Sequence, residues 1–306
     1  MNLAHVHIVI NHVPSLGSIL GLLLLVAGTY KKNESTKQFA YFVLVMISMA
    51  VLPTYISGAE AQKIVAKNAS YSAGMIQLHQ NAAMITLLIM TAAGMFAWFG
   101  LWEIRRHARS SSITTICTLV STAAAAGSVL FTANIGGSIS HAEIRDAAEA
   151  AVTESVGWRA PLEQWISDQA WSWPTLEMIH YVGMAFLFGV FLIYLLRMLG
   201  ILPGISFSAL HRLLPMAIIG FVLNTITGMI FFVASPGLYL GKHTFHNKIA
   251  AILVATVPLV YFTMFEQPWK LRAEDSAPVI LKIAAIAMFG LLCAVMYYGR
   301  FLPFFN

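Results

Sequence analysis

The chain has 306 residues, of which 58% are hydrophobic and only 10% charged, against about 25% charge in an ordinary soluble domain. No soluble core hides that much apolar surface, so a soluble globular class is excluded. The net charge of +5 does not point to nucleic acid, because the basic residues are dispersed rather than gathered into one patch.

Crossing a hydrocarbon core takes roughly 20 mainly apolar residues. Eight such runs follow one another, at about 9–29, 39–57, 76–102, 113–137, 174–196, 212–234, 247–265 and 279–299. They must be helical, because lipid satisfies no peptide groups. The first run is expected to stay as helix one rather than be removed as a signal peptide. No charged residue precedes it, Lys31 and Lys32 follow it, and a small-residue cleavage site is absent.

The expected fold class is therefore all-α, a polytopic membrane protein of about eight transmembrane helices in two four-helix bundles. The first bundle covers 1–141 and the second 173–306. Between them lies a polar stretch, 142–172, carrying Glu143, Asp146, Glu149, Glu154, Glu163 and Asp168 along with Trp158, Trp165 and Trp171; Trp173 closes it. It reads as an amphipathic outer loop with tryptophans at headgroup level, or as an acidic dock for a basic outer partner. The other loops are short, which favours up-down-up-down bundles with first and third helices diagonal.

An even number of spans puts both termini on one side. Scoring the alternating loops sets Lys31, Lys32, Lys37, Arg105, Arg106, Arg109, Arg197, Arg212, Lys270, Arg272 and Lys282 against Lys63, Lys67, Arg145, Arg159, Lys242, Lys248 and Arg300. The larger set is expected in the cytoplasm. That makes the chain a bacterial inner (plasma) membrane protein with both termini periplasmic.

Ten histidines are present, and most fall toward the outer face of this topology. His5, His7 and His12 lie at the outer end of helix one, His79 at the start of helix three and His141 just past helix four. In the second half His180 lies early in helix five, and His243 and His246 open helix seven. Only His107 and His211 fall on the inner side. His107, among Arg105, Arg106 and Arg109, reads as surface charge. His211, beside Arg212, reads as a topology anchor or a quinone or lipid contact. Buried polar groups in membranes are costly and usually functional. Each half has a histidine early in its first helix and another at the start of its third, His12 with His79 and His180 with His246. Two imidazoles facing across a bundle axis can supply both axial nitrogens of a b-type haem. Cys117 and Cys293 lie inside spans with no CxxCH, which excludes covalent c-type haem. Gly136, Gly137, Gly183 and Gly74 stand beside these histidines and would admit a macrocycle. Glu177, three residues before His180, is placed to accept a hydrogen bond from an imidazole. Asn134 and Asn224 read as interhelical hydrogen-bonding groups.

At HVHIVINHVPSLG, LHQNAA and ANIGGSISHAEIR the first 145 residues resemble a family of uncharacterised bacterial inner-membrane proteins with four helices and outward-facing histidines. The resemblance implies His7, His12, His79 and His141 as recurrent positions; Gln80 and Asn81 stand where members often carry acidic residues. Through TLEMIHYVGMAFLFG, LHRLLPMAIIGFVLNTITGMIFF, HTFHNKIA and YYGRFLPF the second half looks like another uncharacterised four-helix family. It is more distantly similar to copper-resistance membrane domains, through its early histidine, the Thr227–Gly228 pair and Lys248.

The leading expectation is an electron-transfer cytochrome, an oxidoreductase component with haem b at His12 and His79 and a second at His180 and His246. It would link the quinone pool to an outer redox partner. One alternative is a copper-handling protein in which His7, His141 and His243 capture the ion. Another is a non-catalytic subunit of a larger membrane complex. No HExxH, GxSxG or glycine-rich phosphate loop supports a hydrolase.

Overall fold

The computed structural model describes residues 3–67, 71–140, 160–265, 267–272 and 274–302. All regular structure within them is helical. Eight helices are long and apolar enough to cross a membrane: Leu3–Tyr30, Glu34–Val65, Ala73–His107, Ser112–Ile139, Ser172–Met198, Phe207–Ala234, His243–Met264 and Val279–Phe301. The protein is an all-α polytopic membrane protein. Its chain divides into two compact units, Met1–Trp158 and Arg159–Asn306.

The first unit contains α1 (Leu3–Ile10), α2 (His12–Tyr30), α3 (Glu34–Val65), α4 (Ala73–His107) and α5 (Ser112–Ser140). α1 and α2 form one crossing interrupted by a turn at Asn11. The cause lies three residues on: Pro14 has no N–H to give to the carbonyl of Ile10. Asn33 and Ser72 cap α3 and α4, accepting from the N–H groups of Thr36 at 3.0 Å and Met75 at 3.4 Å. α2 packs on α3, α3 on α4, α4 on α5, and α5 back on α2, with α1 lying against α3. First and third crossings are therefore diagonal. Small residues set the spacing. A Cβ on Gly21 would come 2.5 Å from Leu44 Cδ2, and one on Gly100 2.7 Å from the Tyr41 ring.

One end of this unit is locked by a buried polar network. Lys37 Nζ pairs with Glu34 at 2.5 Å and donates to Ser110 Oγ at 3.1 Å. Glu34 also accepts from the Ser110 N–H. Thr115 Oγ1 links Ser110 to the Tyr41 hydroxyl, at 3.1 and 3.0 Å. Glu103 ends its helix as expected, accepting from the Ser111 N–H at 2.8 Å.

The second unit contains α6 (Ala160–Asp168), α7 (Ser172–Met198), α8 (Phe207–Ala234), α9 (Gly237–Leu240), α10 (His243–Met264) and α11 (Val279–Phe301). The stretch from 160 belongs to this unit rather than to a free linker. Ile166 of α6 packs against Leu176 and Ala234, and Ser172 Oγ donates to the Ile166 carbonyl. Trp165, Trp171 and Trp173 are all exposed; the first two are edge-on at 5.5 Å, and Trp173 lies on Phe231 at 4.5 Å. Residues 141–159, which hold His141, Trp158 and four of the acidic positions, lie outside the described residues.

α7 packs on α8 and α11, and α11 on α10. α8 meets α10 through the stacked rings of Phe232 and Phe245, 5.5 Å apart. The α7–α8 crossing depends on paired glycines: a Cβ on Gly220 would stand 2.6 Å from the Gly183 carbonyl. Asn224 sits at this crossing but donates to its own helix, to the Gly220 carbonyl at 2.8 Å, rather than across helices. Asn134 is exposed.

The end of this unit at which α7 stops is an aromatic lock. Buried Arg197 lies 3.8 Å over the Phe207 ring and donates from Nε to the Ile205 carbonyl. Tyr194 donates to the Leu210 carbonyl at 2.6 Å. His211 is buried here against Trp269, 5.3 Å between ring centroids, whose Nε1–H reaches the Phe262 carbonyl. That placement removes it from a lipid-facing quinone contact.

Candidate cofactor site

The histidine end of the first unit is where α1 begins, α3 and α5 end and α4 begins. His7 on α1 directs Nδ1 to the Thr54 carbonyl of α3 at 3.0 Å, with Ser57 Oγ at 3.3 Å. His79 on α4 directs Nδ1 to the Thr132 carbonyl of α5 at 3.0 Å. A carbonyl oxygen only accepts, so both imidazoles carry their proton on Nδ1. Each Nε2 keeps its lone pair and has no hydrogen-bond partner among the described residues.

Glycine is what opens those carbonyls. In an α-helix the carbonyl of residue i points at residue i+4, whose side chain normally covers it. Here i+4 is Gly58 in one case and Gly136 in the other. A Cβ on Gly58 would stand 2.8 Å from His7 Cε1, and one on Gly136 3.0 Å from His79 Cε1. Each imidazole lies in the space a side chain would have filled. The two imidazoles come from diagonal crossings and lie at the same end of the unit.

His12 was expected opposite His79; the histidine of the first crossing that bonds to a neighbouring helix is His7. The turn at Asn11 separates the two, and His12 is exposed at the start of α2. His5 is exposed as well. Gly137, expected to serve beside Gly136, has nothing within 4 Å of its Cβ position.

In the second unit His180 on α7 directs Nδ1 to Thr227 Oγ1 of α8 at 2.7 Å. The Thr227 hydroxyl proton is already given to the Leu223 carbonyl at 2.7 Å. His180 must therefore donate, and its Nε2 lone pair is again left over. Gly228 stands beside it, with His180 Cε1 4.0 Å from its Cβ position. Glu177 is exposed, and Thr227 makes the contact expected of it. Gly183 packs on the Gly220 carbonyl rather than beside His180.

At the same end of this unit Lys248 of α10 lies over Gly299 of α11, its Nζ 3.2 Å from that glycine's Cβ position. Two residues on a helix differ by about 200°, so His246 and Lys248 face opposite ways. His246 lies edge-on to exposed His243 at 6.4 Å. Its Nε2 is buried without a hydrogen-bond partner, as is Thr244 Oγ1. Among the described residues no three of His, Cys, Asp or Glu come together as ligands for a bare ion.

Sequence reasoning missed Thr54, Gly58 and Thr132, and reached Thr227 only through the resemblance of the second half. The signal present was spacing, with a glycine four residues beyond each accepting carbonyl in α3 and α5. Compared with family models, curated proteins and solved structures, the chain finds no match.

Proposed function

We propose that the chain is a membrane electron-transfer protein of the b-haem type, with His7 and His79 as the axial pair in the first unit. The observation that carries this reading is the repeated imidazole geometry. Nδ1–H is anchored to a helix carbonyl, the ring is seated on glycine, and Nε2 is left as the only free donor atom. Such anchoring fixes tautomer and ring orientation and raises the basicity of the ligating nitrogen. A porphyrin brings its own four equatorial nitrogens, so two imidazoles complete six-coordination. A bare copper or zinc ion needs three or four protein ligands.

The bound haem would supply a one-electron redox couple. The chain's own contribution is to hold two neutral imidazoles in fixed orientation within an apolar bundle. The excess of Lys and Arg in the loops at the opposite end supports a bacterial inner membrane orientation with the histidines and both termini periplasmic. An outer redox protein then meets this end, with the quinone pool as the other partner.

Metal handling keeps one supporting feature, the His243–His246 pair with its buried, unpartnered Nε2.

The test is a reduced-minus-oxidised visible spectrum and a pyridine haemochrome assay on detergent-purified protein made with ample haem supply, with elemental analysis of the same sample. A b-type spectrum supports the cytochrome. Copper without porphyrin, or neither, ends that reading.

A further inference from the structure

In each unit a nitrogen-bearing side chain on an odd crossing is laid over a glycine on the next crossing. His7 lies on Gly58, His79 on Gly136 and His180 beside Gly228; the fourth place is taken by Lys248, whose Nζ is 3.2 Å from the Cβ position of Gly299. The first unit therefore presents two imidazoles, and the second presents an imidazole and an ammonium.

We propose that the second unit binds a phosphate-class oxyanion between His180 on α7 and Lys248 on α10. The inference does not depend on haem in the first unit.

Lys248 makes no hydrogen bond or ion pair among the described residues. A lone ammonium inside a membrane span is costly, and such groups pair with an opposite charge or line a ligand path. None of the carboxylates described in this unit forms an ion pair with Lys248. Glu163 and Asp168 are on α6, Glu177 is exposed on α7, and Glu274 and Asp275 lie in the loop before α11, at the far end of α10 from Lys248.

His180 completes the site. Its Nδ1–H is committed to Thr227, so Nε2 can accept the O–H of a monoprotonated phosphate or, once protonated, donate to a phosphodiester. Lysine is a compact point charge suited to phosphate. Lys248 is five residues into α10, His180 eight into α7, and Gly299 two from the end of α11. At 1.5 Å per residue these are depths of roughly 3–12 Å, beside the headgroup layer. The anion is therefore either a lipid phosphodiester or free phosphate.

The two sources separate in one experiment on full-length protein in non-ionic detergent. One arm measures binding of radiolabelled inorganic phosphate. The other measures phosphatidylglycerol retained after delipidation, by native mass spectrometry. One equivalent in either arm is expected, with affinity or retention reduced at least tenfold in Lys248→Met and in His180→Gln and unchanged in Lys242→Met. Lys242 is a neighbouring lysine that donates to the Leu302 carbonyl instead. The unfolding midpoint of anion-free Lys248→Met should equal or exceed that of the parent, which separates lost binding from lost folding. The proposal is overturned if the parent binds neither probe, or if Lys248→Met binds as the parent does. It is equally overturned if Lys248→Met alters a visible haem spectrum, since lysine would then be an iron ligand.

Discussion

His79 gives its Nδ1–H to the carbonyl of Thr132 on the neighbouring helix, 3.0 Å away, and can do so because the residue four places on is Gly136. His7 repeats the arrangement with Thr54 and Gly58. Two imidazoles on diagonal crossings are thereby held in one tautomer with Nε2 free. Replacing either His7 or His79 with alanine should abolish the low-spin bis-imidazole signal in the reduced spectrum. His12→Ala should leave it in place, because His12 is exposed at the start of α2. Loss of the signal in His12→Ala with retention in His7→Ala would reverse the assignment.

The glycine floors give a second, independent expectation. An added Cβ at Gly58 or Gly136 would fall 2.8 or 3.0 Å from an imidazole carbon, closer than ordinary contact, so the ring must tilt and its anchoring bond lengthen. Disturbing a ligand's supporting hydrogen bond typically costs 10–100-fold in cofactor affinity. Gly136→Ala should therefore lower haem occupancy by about that factor, measured by pyridine haemochrome per mole of protein. Gly137→Ala, with nothing within 4 Å of its Cβ position, should be indistinguishable from the parent.

What could be read from the sequence divides along physical lines. Eight continuous apolar runs of about 20 residues demanded eight helices, since a single span of that length satisfies its own backbone in lipid only as a helix, and the helices are there. Within each unit, the end at which His7 and His79, or His180, lie also follows from span order. Which histidines face each other depends on helix phase, and phase across a proline-broken crossing is not visible in a list of histidines; Asn11 and Pro14 decide between His7 and His12. The same phase argument, applied to residues 246 and 248, would have separated His246 from Lys248. The anchoring groups were hidden for another reason: two of the three are main-chain carbonyls, which every residue has, and only the glycine at i+4 marks them.

The His180–Thr227 bond supplies a stability test in the second unit. Thr227→Val keeps the shape and removes the acceptor, leaving a half-buried N–H unpaired at a cost of about 1–3 kcal/mol. Thr227→Ser keeps the oxygen and should retain most of the stability. The check is the unfolding midpoint of the three proteins in one detergent. Equal midpoints for valine and threonine would mean that His180 is not anchored there.

Arg197 tests whether the two ends of the second unit act separately. The residue is 2% exposed, and its guanidinium lies over Phe207 and donates to the Ile205 carbonyl. Arg197→Met removes the cation–π contact, worth about 0.5–2 kcal/mol, and the hydrogen bond to the part-buried Ile205 carbonyl, worth about 1–3 kcal/mol more. Phe207→Leu alone removes only the ring. A double-mutant cycle between the two should give a coupling within the cation–π range, measured by unfolding in detergent. All three variants should bind phosphate or phosphatidylglycerol at the His180 end with parental affinity, since Arg197 lies near the opposite terminus of α7, 17 residues or roughly 25 Å along the helix. A parallel loss of binding would mean instead that α7 and α8 transmit packing changes along their full length.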